Sequence, residues 1–125
     1  MNLLKGSTDG IDLAKLAEKM NLRDVCICFR NNIEPGYQNY IIHLIKPAHW
    51  VGLVIHNNTA YYFDSLHLDV PEDIISQISA NKVVYNDREV QPMNEAYCGE
   101  YVLYFLNHMR HPSVDNYRRM LMNLK

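Results

Sequence analysis

The chain has 125 residues, 48% of them hydrophobic and 21% charged, a size and balance that suit one compact domain and leave two implausible. Lys and Arg number 12 against 14 Asp and Glu, for a formal net charge of -2; with no block of five or six like charges, a polyanion-binding arm is excluded and no nucleic acid partner is expected. Apolar runs such as Val51 to Ile55 fall far short of the roughly 20 residues that span a bilayer, and the N-terminus lacks the apolar core of a signal peptide. The expectation is a soluble, intracellular protein with no membrane partner.

Cys26, Cys28 and Cys98 are an odd count that suits a reducing compartment better than a disulfide framework. Two apart on a predicted strand, Cys26 and Cys28 leave from one face without covalent reach of each other. Such a pair can be half of a zinc site, but none of the histidines supplies two further ligands at tight spacing, so no metal and no cofactor are expected.

In chain order, Asp9 to Met20 reads as a helix, with Asp9 as cap, Asp12 in the first turn and Ile11, Leu13, Leu16, Ala17 and Met20 as its apolar stripe. Short β-rich runs follow at Val25 to Phe29, Tyr40 to Ile45, Trp50 to Ile55 and Thr59 to Asp64, bounded by Pro35-Gly36, Pro47 and Asn57-Asn58. Asparagine tolerates positive φ, so Asn57-Asn58 predicts a two-residue hairpin turn that brings the ends of Trp50 to Asp64 together. Asp69-Val70-Pro71-Glu72 has the cap, early proline and returning glutamate of a helix start running to about Ser79, and Lys82 to Tyr85 reads as a further strand. Glu95 to Met109 suits a mostly buried helix stopped by Pro112, and Val114 to Asn123 a last one. The pattern is α+β: an antiparallel or mixed sheet with helices packed on it.

Cys98 carries the chemistry. It falls at the start of a predicted helix, where unpaired N–H groups and the positive end of the dipole stabilise a thiolate, and Gly99 beside it lets a substrate backbone approach. A lone cysteine is more often a small core residue, but partners are present. His49 stands at the entry to the predicted hairpin and Asp64 at its exit, the base and orienter that a nucleophilic thiol needs. Singly, His49 reads as a loop histidine and Asp64 as a turn residue capping its own backbone. Gln91, in the loop before the helix, can donate to the oxygen of a tetrahedral intermediate beside the Cys98 N–H. The other histidines, His43, His56, His67, His108 and His111, sit in no matching context, and Arg110 and His111 are explained by a helix C-terminus.

The segments His49-Trp50, Tyr62-Phe63-Asp64-Ser65, Gln91 and Cys98-Gly99, in that order, resemble the signature of the adenain-like and SUMO-protease-like cysteine peptidases. The likeness runs from about Tyr40 to Met109 and includes Tyr85-Asn86 ahead of the glutamine. It implies a papain-like peptidase fold of the adenain type, with the nucleophile at the N-terminus of a buried helix. By resemblance His49 is the general base, Asp64 its orienter, Gln91 the oxyanion-hole donor and Cys98 the nucleophile, while Trp50 walls the substrate cleft.

The implied activity is a thiol endopeptidase cleaving after small residues such as glycine. A compact viral protease acting on precursor polypeptides is the closer likeness, since the chain is shorter than most members. On that likeness its place would be the host cytoplasm or nucleus, or the virion, with an activating peptide as a possible partner. A protease removing SUMO or another ubiquitin-like modifier is the first alternative; an acetyltransferase or a non-catalytic binding module on the same fold are alternatives of other classes.

Overall fold

The computed structural model describes residues 10–90 and 97–124. Helix α1, Gly10–Lys19, buries Leu13 and Ala17, four residues apart on one face; the Asp9 cap expected from sequence lies outside the described residues. Its end is set by Asn21, which adopts φ 57 while its N–H bonds the Glu18 carbonyl and the Leu22 N–H reaches Ala17. This double closure satisfies the last orphan carbonyls, with asparagine in the role glycine usually takes.

Five strands follow in sequence: β1 Val25–Phe29, β2 Asn39–His43, β3 Trp50–His56, β4 Thr59–Phe63 and β5 Lys82–Tyr85, with the short helix α2, Glu72–Ile75, between the last two. They form one mixed sheet in the order β1-β2-β3-β4-β5. The outer pairs β1/β2 and β4/β5 are parallel, and the inner pairs β2/β3 and β3/β4 antiparallel. Asn57 (φ 50) and Asn58 (φ 61) make the β3–β4 turn, where two consecutive positive φ values match the strands' twist. Helices α3, Cys98–His108, and α4, Val114–Asn123, complete the α+β architecture.

Each strand alternates between two cores, as a sheet covered on both faces requires. Ile41, Trp50, Val54, Tyr61 and Phe63 meet Leu13, Val102, Phe105, Leu106, Tyr117 and Met120 of α1, α3 and α4. On the other face, Cys26, Tyr40, Ile42, Leu53 and Tyr62 meet Ile74 of α2. Helix α3 lies so close to β3 that a Cβ on Gly52 would stand 2.6 Å from the Phe105 ring, so only glycine fits at that crossing. Helix α4 is capped by the Ser113 hydroxyl, which accepts from the Asn116 N–H at 3.0 Å.

Several elements differ from the sequence reading. The helix after Asp69 spans only Glu72–Ile75, with Pro71 at its N-cap position and no side-chain cap, so Asp69 does not start it. That segment is instead tied to the β1–β2 side: Arg30 forms a two-point bridge to Asp73, each contact 2.9 Å, and the Gln77 side chain bonds Ile33 and Arg30 main-chain atoms. Strand β2 stops at His43, two residues early, because Ile45 turns to φ 70, outside the extended region. Arg110, just past the end of α3, bonds the Asn107 side chain there at 2.9 Å, and its guanidinium also donates to the Met20 and Asn21 carbonyls at the end of α1. Among the described residues no helix is long and apolar enough to cross a membrane.

Candidate active site

The β3–β4 hairpin decides where the histidine and carboxylate meet. Gly52 pairs with Phe63 across it, so the residue before β3 and the residue after β4 reach the same end of the sheet. There His49, 3% exposed, and Asp64, 1% exposed, stand with Nε2 and Oδ1 2.5 Å apart. A carboxylate can only accept, so Nε2–H donates to Asp64 and Nδ1 is the nitrogen left to exchange a proton with a thiol. The His49 carbonyl is in turn held by the Leu44 N–H at 2.9 Å.

Asp64 is gripped from three sides. Its Oδ1 accepts from the Leu66 N–H at 2.9 Å and its Oδ2 from the Leu68 N–H at 3.2 Å. One carboxylate therefore caps its own turn and also holds the His49 imidazole. Its main chain is clamped by Asn86, whose Oδ1 accepts the Asp64 N–H at 3.0 Å and whose Nδ2 donates to the Asp64 carbonyl at 2.7 Å. Asn86 is 2% exposed and also donates to Arg88. Sequence reasoning gave it no role; a lone asparagine just past a strand reads as a turn residue, and only the β4/β5 pairing brings it to Asp64.

Cys98 is the first residue of α3, whose N-cap Tyr97 offers no side-chain cap. Its thiol accepts the Trp50 N–H with 3.5 Å between N and Sγ and hydrogen-bonds the His49 side chain and the Gly99 N–H. Burial opposes ionisation, but the His49 imidazole and the two backbone N–H groups outweigh it and hold the thiol below its ordinary 9.0. For His49, burial disfavours the imidazolium, yet the bonds to Asp64 and Cys98 win and push its pKa up to about 9. The opposed shifts describe one thing: a proton that sits better on imidazole than on sulfur.

The structure thus brings together His49, Asp64, Cys98 and the Trp50 main chain; Gln91 lies outside the described residues. Two expected substrate contacts are revised. Gly99 is buried, and a Cβ there would stand 2.8 Å from Leu13, so its smallness lets α3 pack on α1 and its N–H, not an open Cα, serves the site. The Trp50 ring is 8% exposed and packs edge-on against His43 at 4.7 Å, which leaves little of it to wall a cleft. His43 is accordingly not a stray surface residue. A cleft of ≈ 490 Å³ lined by Tyr62, Leu68, Ile75, Val83 and Tyr85 lies behind Asp64 on the α2 side and does not include Cys98. No protein-family model and no curated protein matches this chain.

Proposed function

We propose that the protein is a cysteine endopeptidase of the papain-like, adenain type, working through Cys98, His49 and Asp64. The observation that carries this reading is the contact chain Asp64–His49–Cys98 at the N-terminus of α3, the base, orienter and nucleophile order that acyl transfer needs. The Cys98 thiolate attacks the peptide carbonyl carbon, and the carbonyl π pair moves to oxygen. The backbone N–H groups at the start of α3, with the Gln91 amide as the proposed second donor, stabilise that oxyanion. Collapse breaks the C–N bond as the His49 imidazolium gives its proton to the leaving amine, which departs and leaves a thioester. Water then gives a proton to His49 as it attacks the thioester, and the acid and the thiolate are released.

Substrates on this reading are precursor polypeptides with a small residue before the scissile bond. The test is incubation of the protein with a mixture of peptides of random sequence, with new termini read by mass spectrometry. Cleavage that vanishes in Cys98→Ala is expected; cleavage retained in that variant overturns the reading, and transfer of an acetyl group to lysine in its place favours the acyltransferase.

A further inference from the structure

Strands β4 and β5 run parallel, so the chain between Phe63 and Lys82 has to cross over the sheet before it pairs again. Such a crossover usually carries a full helix, but here α2 has four residues and buries only Ile74. Part of the face is left uncovered. Tyr62 pairs with Tyr85, and Val83 with Ala60 of the α2-side core, so Tyr62, Val83 and Tyr85 share that face. Leu68, Val70 and Ile75 of the crossover complete the ≈ 490 Å³ cleft behind Asp64, a volume in the range of small-molecule sites.

The polar groups of this cleft are unequally served. The Asp64 carboxylate is bonded to His49, Leu66 and Leu68, and both ends of the Asn86 amide are engaged. Tyr62 is different. It is 1% exposed, and among the described residues its hydroxyl is the one buried side-chain polar atom without a hydrogen-bond partner. Burial and the Asp64 and Asp73 carboxylates outweigh Arg30 and keep the phenol protonated, so the hydroxyl is a donor whose natural complement is an oxygen acceptor. The lining brings two carboxylates, Asp64 and Asp69, one imidazole, His67, and no Lys or Arg, a balance that disfavours an anion.

We propose that this cleft binds a small, neutral, mostly apolar molecule whose carbonyl oxygen accepts a hydrogen bond from Tyr62, with its apolar body packed between Tyr85 and Leu68. The site goes beyond the peptidase reading and does not rest on it. It nevertheless touches the triad from behind. Leu68 lines the cleft while its N–H holds Asp64 Oδ2 at 3.2 Å, so an occupant braces the turn that grips the carboxylate.

The test follows backbone amide signals of the full chain by NMR during titration with three probes: acetophenone, ethylbenzene, which lacks the oxygen, and benzoate, which carries a charge. Acetophenone is expected to shift the Leu68, Val70 and Val83 signals saturably and to bind about tenfold tighter than the other two, the scale of one buried hydrogen bond. Tyr62→Phe removes a hydroxyl that nothing in the fold satisfies, so its urea midpoint should equal or exceed that of wild type. In that variant acetophenone should bind no better than ethylbenzene. Tyr85→Ala, at a position 57% exposed, should weaken both by about threefold. Equal affinity for acetophenone and ethylbenzene in wild type, a preference that survives in Tyr62→Phe, shifts confined to another surface, or no saturable shift overturns the site. Benzoate bound as tightly as acetophenone overturns the neutral class, and a lowered urea midpoint in Tyr62→Phe overturns the hydroxyl as a free donor. Slower hydrogen exchange at the Leu66 and Leu68 N–H groups with acetophenone bound supports the brace on Asp64; unchanged exchange overturns that link.

Discussion

Cys98 and Cys28 are both partly buried thiols, one at the margin of each core, and burial pushes both toward the neutral form. They end far apart because of what else touches them. Cys98 has an imidazole and two backbone N–H groups, and is held below 9.0. For Cys28, burial and the second thiol, Cys26, drive the pKa up to about 12, against a single favourable contact with the Glu34 main chain. Depth in the fold therefore does not make a cysteine reactive; an adjacent cation does.

The contrast is largest in reactivity and rests on His49. At pH 7 a thiol with a pKa near 12 is thiolate to about one part in 10⁵, whereas one held below 9 exceeds about one part in 10². Cys98 is therefore expected to alkylate at least ~10³-fold faster than Cys28, read by mass spectrometry of each labelled position. His49→Ala removes the group that favours the Cys98 thiolate and should cut its labelling by more than tenfold, and peptide cleavage by about 10⁴-fold, as for loss of a triad base. Equal labelling of the two thiols in wild type would end the comparison.

The pH dependence has a definite sign. His49 has its pKa raised from 6.5 to about 9 and the Cys98 pKa is lowered from 9.0, so the thiolate–imidazolium pair occupies the window between them. Cleavage should fall as pH drops through the depressed thiol pKa and fall again as pH rises through about 9. The stability contributed by protonated His49 is complete below its ordinary 6.5 and is lost as pH rises through about 9. Urea midpoints of wild type and His49→Ala should therefore converge above pH 9; a constant gap up to pH 10 would contradict the assignment.

The strands, the hairpin and three of the four helices were legible in the sequence because each has a local cause: a β-rich run in Val25–Phe29, two asparagines at Asn57-Asn58, the apolar spacing of Tyr117, Met120 and Leu121 in the last helix. So were His49, Asp64 and Cys98, since hairpin geometry and a helix start are local signals too. What was not legible depends on non-local pairing. Asn86 becomes the clamp on Asp64 only through the parallel β4/β5 pair, and Gly99 owes its size to Leu13, far back in the chain. His43 looked like an idle histidine because its neighbours, Phe29 and Trp50, come from two other strands.

Asn86 is where the site and the stability of the fold meet. Asn86→Ala leaves the Asp64 N–H and carbonyl without their partners in a buried place, and each such group costs about 1–3 kcal/mol. A loss of about 3 kcal/mol is expected in urea denaturation. Because the Asp64 carboxylate keeps its bonds from Leu66 and Leu68, cleavage should fall less than in His49→Ala. A positioning role predicts in addition that the alkaline limb of the pH profile moves down as His49 loses a well-placed partner; a merely structural role leaves the limb in place.

Cys28→Ser carries the smallest expected change and tests the comparison from its quiet side. The serine hydroxyl can accept from the Glu34 main chain as the sulfur does, and the residue is only partly buried, so little unsatisfied polarity is created. Stability should change by less than about 1 kcal/mol, the range for a substitution that keeps its hydrogen bond. Cleavage and Cys98 labelling should stay at wild-type values, because a five-stranded sheet separates the two thiols. A tenfold loss of cleavage in Cys28→Ser would mean that the α2 face bears on the chemistry, through Tyr62 and Asp64 at the end of β4, and that the two sides of the sheet are not independent.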